Sequence, residues 1–173
     1  MLQWAFGPLA LHQEFVLFQA RNSGLSPSIF LWHQGETDAR LQSLAHNFLK
    51  GIPLAIHWNK WLDDRGRHLY GRALLTVMER SRRHFPASYF GIALASRCSS
   101  TAPWPSIRQA QMDAAQNNHR TFISADSDGI FGNSLRYDGC HFSIAGSEVL
   151  GRQYSRSLKP ILSRSFQHKK SKP

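Results

Sequence analysis

The sequence predicts an α/β domain with a parallel sheet, because strands and helices alternate along it. Three short apolar runs are separated by stretches in which apolar residues recur at helical spacing. This alternation favours a layered fold in which helices cover parallel strands. The 173 residues suffice for one domain of ordinary size. Three strands are few for this architecture.

The first part of the chain predicts a helix followed by a buried strand. Residues 9–20 have apolar side chains at helical spacing, and the preceding Pro8 suits the first turn of a helix. Residues 28–32 are almost wholly apolar. Such a run fits a strand that is buried on both faces, as strands of parallel sheets are.

Two helices are predicted between the first and second strands. Thr37 or Asp38 could cap a helix over residues 37–49, and residues 51–53 then interrupt the pattern. From residue 69 to 84 apolar side chains recur at intervals of three and four, with basic residues opposite. This second helix ends before a proline, as the restricted backbone there requires.

The second half of the chain predicts two more strands and two more helices. Residues 89–95 and 120–124 predict strands, and residues 106–118 predict the helix between them. A long polar loop then leads to a closing helix over residues 143–162. We assign residues 1–162 to the domain and residues 163–173 to a basic tail, which we predict to be disordered.

The composition indicates a folded, basic protein. Hydrophobic residues make up 42% and aromatic residues 12%, while Lys and Arg exceed Asp and Glu by 21 to 11. No apolar run approaches the ~20 residues that cross a bilayer, and the start has no signal-peptide pattern. By default we expect a cytoplasmic protein. The charge alone also leaves open a binder of anionic polymers, although nothing in the pattern favours nucleic acid.

The two cysteines predict neither a disulfide framework nor a zinc site. Cys98 and Cys140 lack the paired spacing of structural zinc ligands, so we expect two free thiols. We also expect the two to lie near each other at one edge of the sheet, because Cys98 follows the second predicted strand and Cys140 lies in the loop with His141. Asp126 and Asp128 lie in an acidic loop that lacks the later ligands of a calcium site, and we predict a turn there.

Two loops carry residues that could take part in catalysis. Gln34, Gly35 and Glu36 directly follow the first predicted strand, where an amide can donate to a developing oxyanion. Asp138 precedes His141 by three residues, so its carboxylate can fold back onto the imidazole and leave the other ring nitrogen free as a base. Taken singly, the first loop is more typical of an ordinary strand-to-helix connection with a capping acid. The second is more typical of an Asp-Gly turn in which His141 is a surface residue and Ser143 is the N-cap of the last helix.

Taken together, the motifs resemble the SGNH hydrolases, in particular the sialate O-acetylesterase-like carbohydrate esterases. The resemblance covers roughly residues 7–160 in order and spacing. It rests on three blocks, which are Gln34-Gly-Glu-Thr-Asp38, Ile107-Arg-Gln-Ala-Gln111 and Asp138-Gly-Cys-His-Phe-Ser143. It implies a three-layer, flavodoxin-like fold that removes O-acyl groups from carbohydrate without a metal or organic cofactor.

The resemblance also implies roles for individual residues. His141 would take and return the proton, Asp138 would orient it, and Gln34 would help to hold the oxyanion, supported by Gly35 and Glu36. The family's strand-Gly-x-Ser block, which carries the nucleophile, has no counterpart before Gln34. We therefore expect an N-terminally truncated member of the family. A non-catalytic remnant or binding module is the alternative.

Overall fold

The computed structural model describes residues 1–50, 55–98 and 102–170. Within these ranges the chain forms six helices, three strands and one 3-10 turn. In chain order these elements are α1 (Leu2–Ala5), α2 (Pro8–Asn22), β1 (Ile29–Trp32), α3 (Glu36–Leu49), α4 (Ala55–His84), β2 (Tyr89–Leu94), α5 (Pro105–Gln116), β3 (Thr121–Asp126), the turn Ser127–Gly129 and α6 (Ile144–Lys170).

The three strands form one parallel sheet in the order β1-β2-β3. The predicted α/β class is thereby confirmed in general terms. The central strand β2 is almost wholly buried, with Ile92 and Ala93 fully enclosed. Gly91 lies so close to the side chains of Leu31 and Phe122 that a Cβ atom there would come within 2.9 Å of them.

The hydrophobic core lies where α4 and α5 pack against the sheet. Leu74, Val77 and Met78 of α4 are completely buried, and Ile107 of α5 is nearly so. The three and four residue spacing that predicted α4 is the spacing of this buried face. On β3, the side chains of α6 satisfy main-chain groups, because Gln153 accepts from the N–H of Asp126 and the hydroxyl of Ser157 donates to Ser124.

Several helix boundaries differ from the prediction. α3 begins at Glu36 after Gly35, so that Thr37 and Asp38 lie inside its first turn and neither caps it. α4 begins at Ala55, whereas the sequence predicted its start near residue 69. The pattern missed the first part of the helix because residues 57–69 are largely exposed and carry no continuous apolar face. The predicted interruption at residues 51–53 lies outside the described residues.

The closing helix α6 also runs past its predicted end. It continues through Pro160 to Lys170, so residues 163–170 of the segment predicted as a disordered tail are helical. The predicted end was taken from apolar periodicity, and this periodicity marks where a helix packs rather than where its backbone stops being helical. Residues 171–173 lie outside the described part of the chain.

β1 is an edge strand, and the prediction that it is buried on both faces is wrong. Leu31 is 46% exposed and the other three residues of β1 are only half-buried. Exposed apolar residues also follow helical spacing on nearby α2, at Leu11, Phe15 and Phe18.

Among the described residues, no helix combines the length and apolarity that a membrane span needs.

Candidate functional site

Asp138 and His141 form the hydrogen-bonded pair that their spacing predicts. Nδ1 of His141 lies 2.6 Å from Oδ2 of Asp138, and the main-chain N–H groups of His141 and Cys140 donate to Oδ1 at 2.7 and 2.9 Å. Gly139 makes this turn possible, because it adopts a φ of 78°, in the left-handed region. The carboxylate therefore has both of its oxygens engaged by the same short loop.

The hydrogen bonds around Asp138 also determine its charge state. The bond from the His141 ring and the two main-chain N–H groups hold the pKa of the Asp138 carboxyl well below its usual range. The pair is exposed, with 67% of the His141 side chain and 42% of the Asp138 side chain accessible. Because the Asp138 carboxylate engages Nδ1 of His141, Nε2 is the ring nitrogen that is left for another partner.

A buried arginine organises the loop that carries this pair. The guanidinium of Arg136 donates to the carbonyl oxygens of Ile130 and Ser127, each at 2.7 Å, and also to that of Cys140. The ring of Phe142 stacks 4.2 Å from the guanidinium carbon. Sequence reasoning missed Arg136, because a basic residue in a polar loop carries no sign of burial.

The same loop is joined to the end of β2 by a disulfide. Cys98 and Cys140 are bonded, with Sγ atoms 2.08 Å apart and Cα atoms 4.1 Å apart. The prediction of two free thiols is therefore wrong. The predicted proximity of the two cysteines is confirmed, because Cys98 follows β2 and Cys140 lies in the histidine loop, and the two segments meet.

The segment that carries Cys98 is held by Asp128. This carboxylate is only 1% exposed and accepts from the N–H and hydroxyl of Ser96 and from the N–H of Arg97, all at 2.6–2.7 Å. Arg108 pairs with it at 2.9 Å and with Asp126 at 2.8 Å. Hydrogen bonding to Asp126 raises the pKa of Arg108. The predicted turn at these aspartates is a single 3-10 turn.

The side chain of Gln34, which follows β1, is engaged by the next helix. Its amide nitrogen donates to Oδ2 of Asp38 at 2.7 Å, and the same carboxylate lies 2.8 Å from the amino group of Met1. The main-chain carbonyl oxygen of Gln34 accepts from Tyr70 at 2.5 Å and from Gln111 at 3.1 Å. Hydrogen bonds to both the side chain and the main chain of Gln34 thus hold the start of the Gln34–Asp38 segment in place.

Gly35 and Glu36 have structural contacts at the same strand end. A Cβ atom at Gly35 would overlap the main-chain oxygen of Ala95, so only glycine fits this approach to the end of β2. Glu36 lies 3.5 Å from His33. Burial opposes ionisation of Glu36, but its hydrogen bonds with His33 and main-chain N–H groups outweigh burial and lower its pKa. Burial and the Glu36 charge raise the pKa of Tyr154, which is 3.2 Å from His33, to about 12.

Gln111, which belongs to the second sequence block, is completely buried beneath these strand ends. Its Oε1 accepts from the N–H of Ala95 at 3.0 Å. Its Nε2 lies within 3.1 Å of the oxygens of Ala95, Tyr70 and Gln34. One side-chain amide therefore links the ends of β1 and β2 to α4 and α5.

A cavity of about 520 Å³ opens beside the Asp138–His141 pair. It is bounded by the second turn of α3, the segment after β2 and the histidine loop, through Ala39, Arg40, Ser43, Ser96, Cys98, Ala102, Trp104, Asp138, Cys140 and His141. Gln34, Gly35 and Glu36 are not among these residues. The amide nitrogen of Gln34 is engaged by Asp38.

Two serines line the cavity, and they differ in their hydrogen bonds. Ser96 is buried, donates to Asp128 and accepts from the N–H of Trp104 at 2.8 Å. Ser43, in α3, is half-buried, and its hydroxyl makes no hydrogen bond within the described part of the chain.

In residues 1–50, 55–98 and 102–170 no three His, Cys, Asp or Glu side chains are grouped as a metal site would need.

Comparisons of this chain with protein-family models, with curated proteins and with solved structures find no match.

Proposed function

We propose that this chain is an ester hydrolase of the SGNH type, related to the sialate O-acetylesterase-like branch, that removes acyl groups from O-acylated carbohydrate. The hydrogen bond between Asp138 and His141, beside a cavity of about 520 Å³, carries the proposal. The parallel sheet supports it, because ligands of open α/β sheets bind beyond the carboxyl ends of the strands. On this proposal the sheet and its helices are part of a three-layer, flavodoxin-like fold.

In the proposed mechanism His141 is the general base and acid. Asp138 holds Nδ1–H, fixes the tautomer and stabilises the imidazolium that forms. Nε2 then takes a proton from the attacking hydroxyl and returns it to the leaving alcohol. General acid–base catalysis of this kind contributes typically ~10²–10⁴-fold to a rate.

The attacking hydroxyl comes from water or from Ser43. If Ser43 attacks, the acyl group stays on its oxygen when the alcohol leaves, and a water that gives its proton to the same Nε2 then hydrolyses this ester, releases the carboxylic acid and restores the serine. Ser96 is a poor nucleophile here, because its hydroxyl is committed to the buried Asp128 carboxylate at 2.6 Å. Ser43 lines the same cavity as His141 and has its hydroxyl available. Replacing Ser43 by Ala distinguishes the two sources: activity survives if water attacks and is lost if Ser43 does.

The test is the hydrolysis of p-nitrophenyl acetate and of a peracetylated monosaccharide by the full 173-residue chain. We expect His141→Ala to lower the rate at least hundredfold, in line with the contribution of a positioned base. His12→Ala is the matched control, because His12 is exposed on α2, outside the cavity. Turnover that His141→Ala leaves unchanged would exclude the proposed site.

A non-catalytic binding role is the second candidate. The observation in its favour is that the Gln34 amide donates to Asp38 and is not directed into the cavity. A binding module would bind an acetylated sugar without turning it over. Isothermal titration with the sugar, run beside the hydrolysis assay, separates binding alone from binding followed by reaction.

A further inference from the structure

The Cys98–Cys140 disulfide is a covalent cross-link between the histidine loop and the segment that follows β2. Cys140 lies inside the turn from Asp138 to His141, and its own N–H donates to the Asp138 carboxylate at 2.9 Å. A change in the position of Cys140 therefore moves a donor of the same carboxylate that holds the imidazole.

The two ends of this disulfide are anchored very differently. On the Cys98 side, the preceding residues Ser96 and Arg97 are fixed by the buried Asp128 through hydrogen bonds of 2.6–2.7 Å. On the Cys140 side, Arg136 holds the Cys140 carbonyl oxygen, while the neighbouring side chains of Asp138 and His141 are exposed. The disulfide thus adds a covalent tie between the segment after β2 and the exposed turn from Asp138 to His141.

The disulfide is also accessible from outside. Both cysteines are half-buried and both line the cavity beside His141. The cavity therefore offers a small thiol a route to the disulfide that does not pass through the hydrophobic core. Accessible disulfides are the ones that tend to be labile or regulatory.

We propose that the Cys98–Cys140 disulfide is a redox-sensitive tie that holds the Asp138–His141 pair in place. In the oxidised protein the loop is ordered and the pair is formed. Reduction releases the loop and weakens the two hydrogen bonds that the main-chain N–H groups of Cys140 and His141 donate to Asp138. The imidazole of His141 then separates from the Asp138 carboxylate. Its consequence for catalysis rests on the proposed function, whereas its consequence for the loop does not.

The chemistry of the switch is a two-electron thiol–disulfide exchange with a dithiol. A thiolate of the dithiol attacks one cysteine sulfur, the S–S bond breaks, and the other cysteine leaves as a thiolate. The second thiolate of the dithiol then displaces the first cysteine. The products are two protonated cysteine thiols and one cyclic disulfide of the reductant, which has lost two electrons and two protons.

The test measures amide hydrogen exchange by NMR in the full chain, oxidised and then reduced with dithiothreitol. We expect the amides of Cys140 and His141 to exchange at least tenfold faster after reduction. The amides of Ile92 and Ala93 in β2 are the internal control and should not change. Cys98→Ser should reproduce the reduced pattern with or without dithiothreitol, and tris(2-carboxyethyl)phosphine should act as dithiothreitol does.

Each outcome decides the proposal. Unchanged exchange at Cys140 and His141 would overturn it, as would free thiols in the protein after air oxidation. Faster exchange at Ile92 and Ala93 as well would identify the disulfide as a support of the whole fold and overturn the local tie. Faster exchange confined to the loop, with no ester hydrolysis by any form, supports the tie and contradicts the proposed function alone.

Discussion

The carboxylate of Asp128 binds both the main-chain N–H and the hydroxyl of Ser96, at 2.7 and 2.6 Å. It thereby joins the turn after β3 to the segment after β2, and both of these lead into the candidate site. Asp128 is almost fully buried and has Arg108 as its charged partner at 2.9 Å. The stability of the site therefore depends on a carboxylate outside the predicted catalytic set.

Asp128→Asn should destabilise the protein by about 2–4 kcal/mol, because it removes an acceptor of several hydrogen bonds and leaves part of the Arg108 charge uncompensated. Urea unfolding followed by circular dichroism measures the loss. Asp126→Asn is the matched control, since Asp126 also pairs with Arg108 but has a side chain that is 44% exposed. Equal losses in both variants would contradict the special role of Asp128.

Gly35→Ala should destabilise the protein by about 1–3 kcal/mol, as overpacking against rigid neighbours does. The added Cβ would overlap the main-chain oxygen of Ala95, which β2 holds in place. Gly151→Ala is the control, because nothing lies within 4 Å of a Cβ there and Gly151 is inside α6. That variant should gain about 0.5–1 kcal/mol from helix propensity. A stable Gly35→Ala protein would show that the two strand ends can separate.

The Asp138–His141 pair should survive mild acid. The folded pKa of Asp138 is depressed, so the stabilisation from its charged form is complete above the ordinary carboxyl range. It is lost only as the pH falls through the lower folded value. The ¹³C shift of the Asp138 carboxyl, followed by NMR, should therefore show no protonation between pH 7 and about 4. A midpoint near that of an ordinary aspartate would mean that the pair does not form in solution.

Leu31→Lys should reduce self-association of the chain. Leu31 is exposed on the edge strand β1, and exposed apolar edges promote pairing between chains. Light scattering during size-exclusion chromatography measures the effect, and we expect the fraction of aggregate to fall. Leu162→Lys on α6 is the control, because Leu162 is exposed but lies on a helix. If the unmodified chain elutes as a single monomer that melts sharply at high temperature, the edge is not a liability.

The features that the sequence predicted well are local ones. Asp138 and His141 are three residues apart with a glycine between them, so their contact depends on one turn. The element order of the sheet likewise follows from apolar runs that are each only a few residues long. Such features depend on short-range geometry, which the pattern of residue types contains.

The features that the sequence did not predict depend on contacts across the chain. The order of the elements predicts that Cys98 and Cys140 lie near each other, but the bond itself requires the Cα atoms to come within 4.1 Å, and the burial of Arg136 requires the histidine loop to close over it. The contact between Gln34 and Asp38 is local by comparison, but both side chains could bond to other groups, so their spacing alone does not select it. None of these contacts leaves a mark in residue spacing.

Gln111 binds the N–H and the C=O of the same residue, Ala95, with the two ends of its side-chain amide. In this respect the side chain imitates a peptide unit of a neighbouring strand. Beyond the last pair of the ladder between β1 and β2, Trp32 and Ile92, a glutamine from α5 thus supplies hydrogen bonds to both continuing segments, at Gln34 and at Ala95. A single buried carboxamide therefore keeps the two chain segments together after their own pairing has ended.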